Sequence, residues 1–185
     1  MKFFYDTEFL DNGETIQLIS IGIVAEDGRE YYAVNSDMPV DEIKRSDWLM
    51  ENVMPSIPNL DLRARNRGAL VGGQARFILN YSDSCVKPRW VIRNEVRDFL
   101  LSGSTPELYA WYAAYDHVAY AQLFGPMVNL PAGLPMFTHD VRSLSAWAGV
   151  DMLPKQAVGE HNALEDARHV KVMFEHIIRE SRKGA

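Results

Sequence analysis

Cysteine is nearly absent from this chain of 185 residues. The one thiol, Cys85, has no internal partner for a disulfide, and no CxxC pair or Cys/His cluster offers a zinc site. A reducing, cytoplasmic setting is the expectation. Long apolar runs are missing too. The longest, Leu18 to Ala25 with Ser20 and Gly22 interrupting, is far below the roughly 20 residues that cross a bilayer. No membrane association is therefore expected. Asp6 and Glu8 arrive before any apolar stretch could form, which argues against a signal peptide. Repeats, low-complexity segments and Pro/Gly/Ser-rich linkers are lacking as well, so one domain spanning 1–185 is expected.

Excess positive charge is also missing. Lys and Arg number 19 against 25 Asp and Glu, a net charge of −6. That balance argues against holding nucleic acid by bulk charge. Hydrophobic residues at 47% and charged residues at 24% place the chain among globular proteins rather than disordered ones. The charge is segregated. Residues 1–62 carry 13 acidic and 4 basic side chains, whereas residues 63–97 carry 8 basic ones against Asp83 and Glu95. Arg63, Arg65, Arg67, Arg76, Lys87, Arg89, Arg93 and Arg97 form either a solvated helix face with a loop or a surface that meets an RNA tail or a partner subunit.

The pattern predicts strands at Lys2–Leu10, Thr15–Ala25 and around Glu30–Val34, with a turn at Glu26-Asp27-Gly28. The near-continuous apolar second strand suits a position covered on both faces. Helices are expected at Asp41–Met54, Arg89–Leu101, Ala114–Phe124, Val141–Ala148 and Ala163–Glu180, with a short strand at Leu108–Tyr112. Consecutive strands followed by helices with strands interspersed describe an α/β fold, one mixed sheet flanked by helices.

Four carboxylates occupy positions where this pattern calls for apolar residues. On the last helix, Ala163, Ala167, Val170, Met173, Phe174, Ile177 and Ile178 share an arc, and Asp166 is the one charged residue on it. Asp116 shares a face with Ala119, Tyr120 and Leu123 on its helix, where helix capping is the competing role. Asp6 and Glu8, two apart in a strand, project from one face while Tyr5 and Thr7 project from the other. A buried carboxylate needs a cation or a proton. Hard divalent cations with oxygen ligands are the natural partners.

Asn162 is the expected N-cap of the last helix, forming a capping-box-like Asn-x-x-Glu with Glu165. His161 is thereby left outside the helix, where its ring is free to approach the acids as a general base. His169 and His176 fall on polar helical positions and carry no assigned chemistry; His117 and His139 are left open.

These residues resemble the three motifs of the DEDDh 3′–5′ exonucleases. Asp6-Thr7-Glu8-Phe9 matches the first motif, Asp116 in Trp111–Asp116 the second, and His161–Ala167 the third. The five-residue step from His161 to Asp166 resembles the histidine branch, since the tyrosine branch would place Tyr where Asn162 stands. The Asp-Thr-Glu-Phe opening and the segment Ala69–Arg76 resemble the RNase AS group within that superfamily.

The resemblance implies a ribonuclease-H-like mixed sheet and 3′–5′ exoribonuclease activity on single-stranded RNA. It implies removal of nucleoside 5′-monophosphates, AMP from adenylate-rich 3′ ends, and a homodimer. Asp6, Glu8, Asp116 and Asp166 would hold two Mg²⁺ ions, which Mn²⁺ could replace, and His161 would act as general base. Glu8, Phe9 and His161 would touch the substrate, with Phe9 as stacking platform for the terminal base and Trp111 and Tyr112 as weaker candidates. A DNA-directed exonuclease and a non-catalytic nucleotide-binding or RNA-binding module are the alternatives.

Overall fold

The computed structural model describes residues 1–60, 70–71, 74–75 and 77–183. Its frame is a six-stranded mixed sheet with strand order β6-β3-β2-β1-β7-β8. The strands are β1 (Lys2–Asp11), β2 (Ile16–Ala25), β3 (Glu30–Asn35), β6 (Val86–Lys87), β7 (Glu107–Ala110) and β8 (His139–Asp140). A small second sheet pairs β4 (Leu70–Val71) with β5 (Gln74–Ala75). The pairs β1–β2 and β2–β3 are antiparallel, while β1–β7, β7–β8 and β3–β6 are parallel. The fold is α/β, consistent with a ribonuclease-H-like arrangement.

Alternation along the central strands sorts side chains onto two helical layers. Phe3, Tyr5, Ile21 and Ile23 pack with Ile92, Val96 and Leu100 of α3 (Arg89–Leu100) and with Ala119 and Tyr120 of α4 (Ala114–Gln122). On the other face, Phe4 and Tyr109 pack with Val141 of α5 (Val141–Ala148) and with Val170, Met173 and Ile177 of α6 (Ala163–Ser181). The second strand is buried on both faces as its apolar run requires.

A bulge interrupts the β1–β2 ladder. Glu8 pairs with Ser20 but Phe9 pairs with Leu18, so Ile19 is the extra residue. The extra residue switches the side-chain alternation, which sends Ile19 into a third cluster with Leu10, Val34, Ile43, Leu49 and Met50.

Two expected elements are corrected. The helix at Asp41–Met54 is broken into α1 (Val40–Ile43), α2 (Asp47–Asn52) and a 3-10 turn at Met54–Ser56. The first piece closes at Lys44, and Ser46 caps the second, its hydroxyl accepting from Leu49 N at 3.3 Å. The seventh strand runs Glu107–Ala110 rather than to Tyr112, because Tyr112 adopts φ +53°, which strand geometry does not allow. Tyr112 is therefore an exposed loop residue, not a core one.

Arg63, Arg65, Arg67, Arg76 and most of the segment Ala69–Arg76 lie outside the described residues. The described part of the basic stretch is largely spent on local pairs. Lys87 bridges to Glu95 at 2.7 Å, Arg97 pairs with Asp98, and Arg89 donates to the carbonyl of Gln122. No helix among the described residues is long and apolar enough to cross a membrane.

Candidate metal and active site

The acids converge at one end of the sheet. Asp6 and Glu8 leave β1 on the face covered by α6, and Asp166 lies in the first turn of α6. One carboxylate oxygen from each of Asp6, Glu8 and Asp166 lies within 4.8 Å of the others.

Asp116 reaches the site from the opposite layer and is held by β1 itself. Its Oδ1 accepts from Thr7 N at 2.8 Å and from Thr7 Oγ1 at 2.6 Å, both buried. The residue between the two strand acids thus anchors the third, since alternation aims Thr7 at α4 while Asp6 and Glu8 face α6. Helix capping by Asp116 does not occur as its main role: the cap position is Ala113, with no side-chain cap hydrogen bond.

Asn162 is the cap of α6, its Oδ1 accepting from Leu164 N and Glu165 N at 3.1 and 3.2 Å. Glu165 does not complete a capping box; it pairs instead with Arg168, which also grips Glu30. His161 stands before the cap in the left-handed region, φ +64°, and its carbonyl accepts from Ser56 Oγ at 2.9 Å. A non-glycine residue held there carries backbone strain of the kind found where a side chain must be aimed. The imidazole packs edge-to-face on Trp48 of α2, with centroids 5.0 Å apart.

The acids form one electrostatic unit. Burial pushes the Asp6 carboxyl well above the usual range, and repulsion from Asp116, Glu8 and Asp166 adds to it. Glu8 is raised to about 8, by burial first and then by Asp166 and Asp116. Asp116 is raised to about 6 by burial, even though the two Thr7 bonds favour its charged form. Asp166 is raised by burial, with Gln156 and His161 opposing. Among the described residues no ion pair joins Lys or Arg to any of the four.

This donor set suits hard divalent cations: oxygen ligands only, close together, and unneutralised by protein. Asp6, Glu8 and Asp166 could share one ion, and Asp116 is tied by Thr7 to the strand that carries Asp6 and Glu8. A cleft of about 560 Å³ opens onto Asp6, His161 and Asp166. That is room for a nucleotide-sized ligand.

Several contributors escape a reading of the sequence. Gln156 donates from Nε2 to Asp166 Oδ1 at 2.7 Å and comes from a loop without a motif. His169, expected to be an inert surface residue, lines the same cleft as Lys155. Phe9 itself is the expected stacking platform, and what the sequence does not show is its partner: half-buried beyond the bulge, it lies nearly parallel to Tyr115 of α4, with centroids 5.8 Å apart and planes 7° from parallel. Gly22 faces Asp6 across the β1–β2 ladder, and a Cβ there would stand 2.3 Å from the carbonyl oxygen of Ala163. The missing side chain lets the first residues of α6 lie on β2, which is what brings Asp166 to Asp6. A lone glycine in an apolar run is the signal that points to such an approach.

No known family model matches the chain. Two curated 3′-5′ exoribonucleases from Mycobacterium tuberculosis, one from strain CDC 1551 and one from strain H37Rv, are each 39% identical to it over 170 residues. Each match covers 91% of this chain and 88% of the relative. With that identity spread over nearly the whole length, the chain belongs to the same family as these 3′-5′ exoribonucleases.

Proposed function

We propose that the protein is a 3′–5′ exoribonuclease of the DEDDh type, hydrolysing single-stranded RNA from its 3′ end with two divalent cations. The carrying observation is the convergence of Asp6, Glu8 and Asp166 within 4.8 Å, with Asp116 held alongside by Thr7 and His161 at the rim.

Asp6, Glu8, Asp116 and Asp166 would hold Mg²⁺, or Mn²⁺ in its place. Bound there, the ions would lower the pKa of the attacking water and offset charge on the leaving 3′ oxygen. The remaining work falls to the chain. His161 takes the proton from water as its oxygen bonds to phosphorus. The bond from phosphorus to the 3′ oxygen breaks, that oxygen takes a proton from solvent, His161 returns its own to solvent, and a nucleoside 5′-monophosphate leaves. Gln156 orients Asp166, Ser56 holds the backbone of His161, and Trp48 packs against its imidazole. Phe9, backed by Tyr115, offers a flat face to the terminal base, and Trp48 offers a second exposed ring. The resemblance to the RNase AS group supports adenylate as the preferred tail and a homodimer as the working form.

Purified protein with Mg²⁺ should shorten 5′-labelled single-stranded RNA stepwise and release 5′-monophosphates. EDTA and the His161→Ala variant should each stop it. Hydrolysis that persists in EDTA overturns the two-metal reading, and faster cleavage of a matched DNA oligomer moves the substrate to DNA. Rates on oligo(A), oligo(U) and oligo(C) test the base preference.

Thr7→Val gives a finer test, since it removes one of the two bonds to Asp116 and keeps the shape of the side chain. Activity should fall roughly 10-fold, in line with loss of a partner that orients a metal ligand. The Mg²⁺ concentration giving half-maximal rate should rise with it. An unchanged metal requirement would show that Thr7 is structural only.

A further inference from the structure

A second cleft, of about 790 Å³, is lined along one wall by the Tyr112–Tyr115 turn that leads into Asp116. Its walls include Tyr112 in the loop before α4, Tyr115 in the first turn of α4, Met136 and Phe137 before β8, and Arg142 in the first turn of α5. Tyr112 is 62% exposed and Phe137 61%, and with Tyr115 and Met136 they make one exposed apolar patch around the cleft.

These rings are exposed yet braced. Tyr112 leans edge-on against Trp111 with centroids 5.2 Å apart, and Phe137 against His139 at 4.9 Å. Tyr115 lies beside Phe9 at 5.8 Å. Tyr112 is further constrained by its left-handed backbone. Side chains that are already fixed lose little freedom when a ligand covers them.

The charge of the cleft also favours an anion. Asp140, the acid on its wall, is occupied: one oxygen caps α5 through Ser143 N at 2.6 Å and the other accepts from Ala113 N at 2.7 Å. Arg142 makes no ion pair among the described residues. Braced aromatic faces beside a free guanidinium are what a single strand of nucleic acid needs, bases on rings and phosphate on cation. Tyr115 links the cleft to the acid site: it lines the cleft, precedes Asp116 in the chain and stacks on Phe9.

We propose that this cleft holds the RNA segment immediately 5′ of the scissile phosphate, its bases on Tyr112 and Phe137 and a backbone phosphate at Arg142. The assignment rests on the exoribonuclease reading above. It makes the enzyme one that prefers longer chains, since a dinucleotide ends before the cleft is filled.

The test is the ratio of kcat/KM for a ten-residue oligoadenylate to that for diadenylate, measured for wild type, Phe137→Ala, Tyr112→Ala and Arg142→Gln. Each variant should lower the ratio about 10-fold, the size of one lost base–aromatic stack or phosphate contact. Fluorescence anisotropy with the decamer in EDTA should show a matching loss of affinity. A wild type that hydrolyses both lengths, with variants that keep its ratio, overturns the cleft assignment alone. A wild type that hydrolyses neither overturns the exoribonuclease reading, and the binding measurement then decides the cleft. Arg142 is half-buried with no ion pair among the described residues, so Arg142→Gln breaks no pair there and keeps the experiment decisive if an aromatic variant misfolds. A change in sedimentation instead of the ratio would make the surface a contact between two copies, and would also overturn the proposal.

Discussion

Asp6→Asn is expected to lower monophosphate release by on the order of 10³-fold, the loss typical when a group essential to the transition state is removed, while raising the thermal stability of the metal-free protein. Both effects come from one feature. Asp6 lies among Glu8, Asp116 and Asp166, and each is raised in pKa by burial, with mutual repulsion added for Asp6 and Glu8. Without cations the cluster opposes folding, so removing a charge relieves it. Each kcal/mol relieved should appear as about 2–4 °C in Tm for a chain of this length.

The pH dependence has a definite sign. An acid whose folded pKa lies above its unfolded value contributes most at low pH and loses that contribution as pH rises. For Glu8 the window runs from about 4.5 to about 8. Metal-free wild type should therefore lose Tm across that window, Asp6→Asn should lose less, and saturating Mg²⁺ or Mn²⁺ should restore wild type at the alkaline end. Differential scanning calorimetry in EDTA at pH 5.5 and pH 8 would show it. A variant that melts below wild type at both pH values would contradict the repulsion argument.

The largest structural effect is expected from Gly22→Ala. The added methyl would meet Ala163 O at 2.3 Å and Ala163 C and Leu164 Cα at 2.4 Å, all backbone atoms with no rotamer to yield. Either α6 lifts from the sheet or β2 distorts at the centre of the core. Overpacking of this kind costs about 3 kcal/mol or more, which is roughly 6–12 °C in Tm. Activity of the folded fraction should fall too, because the displaced residues lead into Asp166 and follow His161. A Tm within a degree of wild type, with normal turnover, would show that the helix does not depend on this contact.

The acids were legible in the sequence because each broke a period. Asp166 interrupted the apolar arc of α6, Asp116 that of α4, and Asp6 with Glu8 shared the parity of one strand face. The structure brings Asp6, Glu8 and Asp166 together and sets Asp116 against the strand between them. Features with no periodic signature were not legible. Gln156 reaches Asp166 from an irregular loop, and Trp48 meets His161 only because the expected long helix breaks at Ser46. Tyr112 was misplaced into a strand, since its left-handed backbone is set by tertiary context and not by residue preference. The same misplacement concealed the aromatic cleft.

The candidate site draws two acids from the first strand, its histidine from just before the last described helix and its final acid from the first turn of that helix, so α6 closes it by docking onto β1 and β2. Contacts that span nearly the whole sequence are slow to form and come late in folding. Until α6 docks, the growing sheet carries Asp6 and Glu8 without the partners that would make it a nuclease. On the function proposed above, a chain whose α6 has not yet docked would hold an incomplete nuclease centre, and competence would arrive only with that helix.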